Sequence, residues 1–422
     1  MLNNSGSSMG ILLAALLLIQ HPAAPTRLAN VFVKGNQRYT VADIEKLSGL
    51  EIGKPAGPSD LTDAANKLAK TGLFSNVKYT YTTAGAAVSV TFEVDEAAST
   101  IPIIFDNVVW MSDDELKTAL RQYVPEFDGA TTVYAGAADL VASALQSILT
   151  ARNLPGRVTV MPQARLGDAA AAPVGFILTI GNPAPQVCAV HVSGTSAIPE
   201  KDLVAQLAGV VGGNYSRVFL TDVSNGTLTD LYRRKGHWRA AFGPPAVSLH
   251  ECSGVAVTLT VTEGPAYTWD HALWSGNTVV PSAALDKLVT LKLGETADSA
   301  KLDLTTLAIR HEYGKLGYVE AAVTYEPQLD DAAHRASFTF NLHEGAQYRM
   351  GTLQFVGIRD ADAVKLSKQW RIKTGDVFDD EYMKQYQNDV LGPLQSPAGQ
   401  HPVIAMVLDR DHHVVNLQVV LR

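Results

Sequence analysis

One spacing recurs along this chain and constrains what it can fold into. A large apolar residue stands four positions before a glycine at Leu68 and Gly72, Tyr232 and Gly236, and Tyr313 and Gly317. In a further instance Leu149 stands four before Asn153. Glycine and asparagine both accept the left-handed conformation that closes a helix, so one backbone need accounts for all four. The apolar residue one turn earlier packs the helix end. Gly392 is read as a fifth member, and the steps from Gly72 onward are 81, 83, 81 and 75 residues. Five copies of one unit, each about 80 residues, follow from that period.

Each unit reads strand, turn, helix, glycine link, second helix, strand, turn, strand. The first strands are Ala29 to Lys34, Val187 to Val192, Tyr267 to Trp274 and Met350 to Val356, and each runs into a turn containing Gly35, Gly194, Gly276 or Gly357. Thr40 with Asp43 and Ser112 with Glu115 have the spacing of a capping box. Pro199 and Pro281 suit a first helical position, where a missing N–H is harmless. The first helices end near Gly53, Gly213, Gly294 and Gly375. Closing strands alternate with period two: Val88, Val90, Phe92 and Val94; Val255, Val257, Leu259 and Val261; Phe338, Phe340 and Leu342; Val415, Leu417, Val419 and Leu421. Three of them run into acidic punctuation at Asp95-Glu96, Glu263-Gly264 and Glu344-Gly345.

The predicted fold class is α+β: a tandem array of five β-α-α-β-β domains, each a three-stranded mixed sheet packed on two helices. The boundaries are 27–98, 99–185, 186–266, 267–347 and 348–422, preceded by a signal peptide at 1–26. An array of this kind is expected to be an extended chain of small cores. The second copy diverges: Phe105-Asp106-Asn107 replaces the glycine turn, and an alanine-rich loop runs from Ala169 to Pro173. The apolar stretch Met9 to Ile19 has the length of a secretory h-region, with cleavage placed between Ala23 and Ala29.

Composition narrows the function. Acidic residues outnumber basic ones, 42 to 34, which disfavours nucleic acid as a partner. No P-loop, G-x-G-x-x-G, G-x-S-x-G or H-E-x-x-H pattern is present. Asp409, Asp411, His412 and His413 are read as a solvated hairpin turn rather than metal ligands. His237 is read as packing, and Arg233, Arg234 and Lys235 as a basic helix end that suits the helix dipole.

The order of elements, with "KLAKTGLFSNVKYTY" (Lys67 to Tyr81), "LYRRKGHWRAAF" (Leu231 to Phe242), "HEYGKLGYVEAAVTYEP" (His311 to Pro327) and "FTFNLHEG" (Phe338 to Gly345), resembles the POTRA domains of BamA-like outer-membrane assembly factors. The resemblance covers nearly the whole chain after the signal peptide, and no sequence for the family's β-barrel follows it here. It implies a non-catalytic scaffold in the periplasm or peripheral to the outer membrane, with no cofactor and no metal. Its partners would be unfolded or partner outer-membrane and secreted proteins, a separate β-barrel protein among them. The chain would meet the membrane through those partners.

The family arrangement puts the third strand in the middle and leaves the second as an edge. An extended peptide can add a strand to such an edge. Carried over, the edges are Val77 to Tyr81, Arg157 to Met161, Trp238 to Phe242, Val319 to Tyr325 and Val403 to Leu408. The candidate binding residues are Val319, Ala321, Val323, Tyr325, Val77, Tyr79, Trp238 and Ala240, with the fourth edge foremost. If strands one and three are parallel neighbours, Cys188 and Cys252 meet at one end of the third sheet; a disulfide there and two buried free thiols are both open. Three alternatives remain: the soluble arm of a barrel protein, a protein anchored by Met9 to Ile19, and an exported enzyme with a site between repeats.

Overall fold

The structure is a computed structural model that describes residues 26–164, 172–394 and 399–421. The signal peptide reading falls almost wholly outside the described residues, as does most of the alanine-rich loop. The chain divides at Pro185 and Gln186 into two compact units. Two sheets lie in the first unit and three in the second.

All five sheets share one topology. The repeat's first strand lies parallel to its last, and the last is central. In the first repeat Arg27–Lys34 pairs with Ala87–Glu96, which pairs antiparallel with the edge strand Phe74–Ala84. The fourth repeat sets its strands the same way: Thr268–Ser275, then Arg335–His343, then the edge strand Ala322–Asp330. The fifth sheet has Arg349–Val356, Val414–Leu421 and the edge strand Pro402–Asp409. Two sheets hold four strands rather than the expected three. The second adds Ala130–Thr132 outside Thr100–Phe105. The third splits its edge into Ala241–Phe242 and Ala246–Ser248, both paired with Val255–Thr262.

The period-two pattern locates the cores. Val90, Phe92, Val257, Leu259, Phe338, Phe340, Val415, Leu417 and Val419 are fully buried beneath the helices. Each such side chain contributes about 1.5–3 kcal/mol of hydrophobic stabilisation. The repeating Gly and Asn do close helices: Gly72, Asn153, Gly236 and Gly317 all have φ between 53° and 85°. Gly392 does not, since its φ is −55°. The fifth repeat's second helix ends in a π turn, Tyr386–Leu391, which shifts the register that the spacing assumes. At the end of the third repeat's first helix, Gly212 rather than Gly213 takes the positive φ. Its N–H donates to Val187 O, as Gly53 does to Leu28 O, Gly294 to Trp269 O and Gly375 to Met350 O. Pro199 and Pro281 sit one residue ahead of the first helical position.

The acidic punctuation ties each sheet to its first turn. Glu96 accepts from the N–H groups of Gln37, Arg38 and Tyr39. Glu263 accepts from Ser196 and Ala197, and Glu344 from Thr278 and Val279. Burial pushes Glu263 and Glu344 up, but these bonds and the Ser196 and Thr278 hydroxyls outweigh it and draw both carboxyls down to about 2. The divergent second repeat solves the same problem differently. Asn107, buried, donates to Ile180 O at 2.9 Å and accepts from Ile180 N at 2.7 Å.

Candidate functional site

The edge strands differ in what covers their outer rim. In the second sheet, Val158 N donates to Gln146 Oε1 at 2.9 Å, and Gln146 Nε2 donates to Gly156 O at 3.3 Å. In the fifth sheet Gln387 does the same, accepting from Ile404 N at 2.7 Å and donating to Pro402 O at 3.0 Å. A helix glutamine therefore occupies one N–H and one carbonyl at the start of each edge, where an added strand would otherwise pair. The third edge is interrupted by Gly243-Pro244-Pro245 between its two short strands. Proline has no N–H to offer, so this rim is broken for strand addition.

The first and fourth edges carry no such block among the described residues. Phe74–Ala84 and Ala322–Asp330 each pair on one side only. In each, one tyrosine holds the strand to the helix below: Tyr79 OH shares a hydrogen bond with Thr62 Oγ1 at 2.8 Å, and Tyr325 OH donates to Asp303 Oδ1 at 2.9 Å. Burial, with Asp303 beside it, raises the Tyr325 hydroxyl, keeping it a donor at neutral pH.

The backbone direction on the fourth edge follows from the other two. Val158 and Ile404 pack against their cores, and their N–H groups point outward, into a glutamine. Val323, Tyr325 and Pro327 hold the same alternation in a ladder with no bulge. Pro327 fits such a position because the ladder needs no donor from it. The N–H groups of Val323 and Tyr325 thus face outward.

Four expected site residues lie elsewhere. Trp238 is in a turn, not a strand; its Nε1 donates to Ala297 O at 2.6 Å, and its ring meets Phe338 at 4.7 Å. Ala240 is buried one residue before the short strand begins. Val319 and Ala321 precede the fourth edge strand, which starts at Ala322. Val319 packs on the fifth repeat's core and Ala321 is buried. The chain uses the residues after the helix-closing glycine to reach the next repeat, and only then becomes a strand. Val77, Tyr79, Val323 and Tyr325 remain on open edges. The features that sort the edges are Gln146, Gln387 and the Pro244-Pro245 pair. The prolines carry a signal visible in the sequence; the glutamines carry none.

Cys188 and Cys252, 64 residues apart in sequence, form a disulfide with Cα atoms 6.2 Å apart. Closing a loop of that length is worth about 4 kcal/mol in the chain-entropy model. Thiol alkylation followed by mass measurement should label neither cysteine without reductant and both with it; two labels without reductant would exclude the bridge.

Two further polar clusters among the described residues are not arranged as reaction centres. Asp270, His271 and Ser337 meet, but Asp270 and Ser337 both approach the same ring nitrogen, His271 Nδ1, at 2.8 and 3.2 Å. A catalytic triad uses the two ring nitrogens separately. His412 Nδ1 pairs with Asp409 in a hairpin turn. Among the described residues, no group of three or more His, Cys, Asp or Glu could hold a metal, and no helix is long and apolar enough to cross a membrane.

Sheets of this topology on paired helices, with the second strand at the edge and the third in the middle, define a class of small α+β module. The POTRA family, described as a surface antigen variable number repeat, matches residues 26–97 and 267–345, and the chain therefore carries POTRA domains. These are the two repeats with open edges. The chain is 20% identical over 180 residues to the outer membrane protein assembly factor BamA of Neisseria meningitidis, covering 40% of this chain and 22% of that protein. It is 23% identical over 131 residues to BamA of Buchnera aphidicola, covering 31% of this chain and 21% of that one. The chain thus spans about a quarter or less of the length of the curated relatives it matches. Among solved structures, POTRA domains 3–5 of Haemophilus influenzae BamA align with a TM-score of 0.43 and 21% identity, covering 56% of this chain and 96% of that one.

Proposed function

We propose that this protein is a non-catalytic periplasmic scaffold that binds client or partner polypeptides in outer-membrane protein assembly, and that it does so by lending a sheet edge. The observation that carries the reading is the contrast among edges. Two are held at one end by glutamines, one is broken by prolines, and Ala322–Asp330 offers a regular ladder with outward N–H groups. Main-chain hydrogen bonds to such an edge give affinity that tolerates varied sequence, which suits a binder of many clients. The five domains, with the boundaries read from the repeat, are part of this proposal.

Val323→Pro tests it. The substitution removes one outward donor and leaves the inward ladder intact, so stability should change little while capture of crosslinked partners in the native envelope falls severalfold. Unchanged capture would retire this edge.

A second reading attaches the same domains to a membrane barrel in a longer protein. It is favoured by the matched relatives, of which the aligned segments are a quarter or less. The mass of the protein isolated from its native envelope separates the two: a value well above 45.1 kDa supports the arm.

A further inference from the structure

The two junctions inside the second unit are built on one plan. The glycine that closes a helix receives the first strand of the next repeat: Tyr267 N donates to Gly236 O at 2.9 Å, and Tyr348 N to Gly317 O at 2.8 Å. A Cβ on either glycine would stand 2.7 or 2.8 Å from the carbonyl oxygen of that tyrosine. The glycines thus serve two purposes, ending one repeat and seating the next.

A polar triad lies beside each seat. At the first junction Arg239 donates through Nε and Nη2 to Asp331, at 2.8 and 2.7 Å, and the Tyr267 hydroxyl donates to the same carboxylate. At the second, Glu320 accepts from Arg410 Nε at 2.8 Å and from the Tyr348 hydroxyl at 2.6 Å. The positions correspond. Arg239 and Glu320 each stand three residues after the junction glycine. Asp331 and Arg410 each follow the last residue of an edge strand. Only the signs are exchanged.

We propose that these triads are a matching code that fixes which repeat docks on which. The loop leaving the third repeat is basic and meets an acidic hairpin; the loop leaving the fourth is acidic and meets a basic one. Docking the third repeat on the fifth would set Arg239 against Arg410. Docking the fourth on a second copy of itself would set Glu320 against Asp331. The tyrosine serves either polarity, because each pair contains one carboxylate to accept its hydroxyl. Glu320 lies two residues before the open edge strand begins at Ala322, so the second triad also positions that end of the proposed binding edge.

The test uses the full chain with distance labels on the fourth and fifth sheets, attached by chemistry that spares the cysteines. Glu320→Arg should broaden the distance distribution and speed protease cleavage at the junction about fivefold, the size expected for an exposed pair turned repulsive. Arg410→Glu should do the same. The double variant Glu320→Arg with Arg410→Glu should restore the narrow distribution. Single variants that match the unmodified protein, or a double variant as broad as the singles with its circular dichroism intact, would overturn the code. A partner-capture assay on the double variant separates this from the edge proposal, since loss of capture with a restored distribution would fault the edge alone.

Discussion

Gly276→Ala should destabilise the fourth repeat by about 3 kcal/mol or more, whereas Gly294→Ala in the same repeat should cost only about 1 kcal/mol. Both glycines have positive φ, at 81° and 83°, so the conformational strain of adding a side chain is shared. They differ in what the new Cβ would meet. At Gly294 nothing lies within 4 Å, but at Gly276 the Leu342 carbonyl oxygen would be 2.2 Å away. That oxygen belongs to the central strand and cannot retreat without disturbing both neighbours. A Cβ on Gly35 or Gly194 would meet Val94 O or Val261 O at the same 2.2 Å, so the first, third and fourth repeats share the constraint, while at Gly357 in the fifth nothing lies within 4 Å. Hydrogen exchange of the Arg335–His343 amides reports this repeat's own stability, which a global melt of several domains would blur. Equal losses in the two variants would show that φ alone governs these turns.

The same glycines show how far sequence reading reaches. Gly72, Gly236 and Gly317 are legible as helix ends because the requirement is local: a left-handed residue one turn after an apolar one. The second use of Gly236 and Gly317 is not legible, since it depends on a tyrosine about 30 residues later arriving at the carbonyl. The closing strands are legible from period-two burial. Edge status is not, because it depends on whether a glutamine such as Gln146 or Gln387 reaches across from a helix. Trp238 is misplaced by sequence reading for a related reason. The segment after Gly236 looks like the start of a strand, yet its first residues bridge to the next repeat and put the indole against Phe338. Gly392 fails because the π turn Tyr386–Leu391 runs straight into it, whereas in the third repeat the π turn Ser224–Leu228 is followed by the α-helical turn Thr229–Arg233 before Gly236.

Glu344→Ala should cost about 2 kcal/mol at neutral pH, and the cost should shrink in acid. The Glu344 carboxylate accepts from Thr278 N at 2.6 Å, Val279 N at 2.8 Å and the Tyr313 hydroxyl at 2.7 Å. Tyr313 is fully buried, so removing the carboxylate takes away the acceptor of its hydroxyl proton and leaves it only the Val280 backbone as a partner. The pH dependence follows from the depressed carboxyl, at about 2 against an ordinary 4.5. A carboxyl depressed in the folded state stabilises it above the unfolded value, and that stabilisation is lost as pH falls toward the folded one. The two proteins should therefore differ most above pH 4.5 and converge as pH falls to about 2. Partial exposure of the side chain keeps the effect well below what the full shift would imply. Urea titrations of both proteins across that range measure the gap directly. A gap that stays constant with pH would mean that Glu344 acts by filling space, and that its charge contributes nothing to holding the turn.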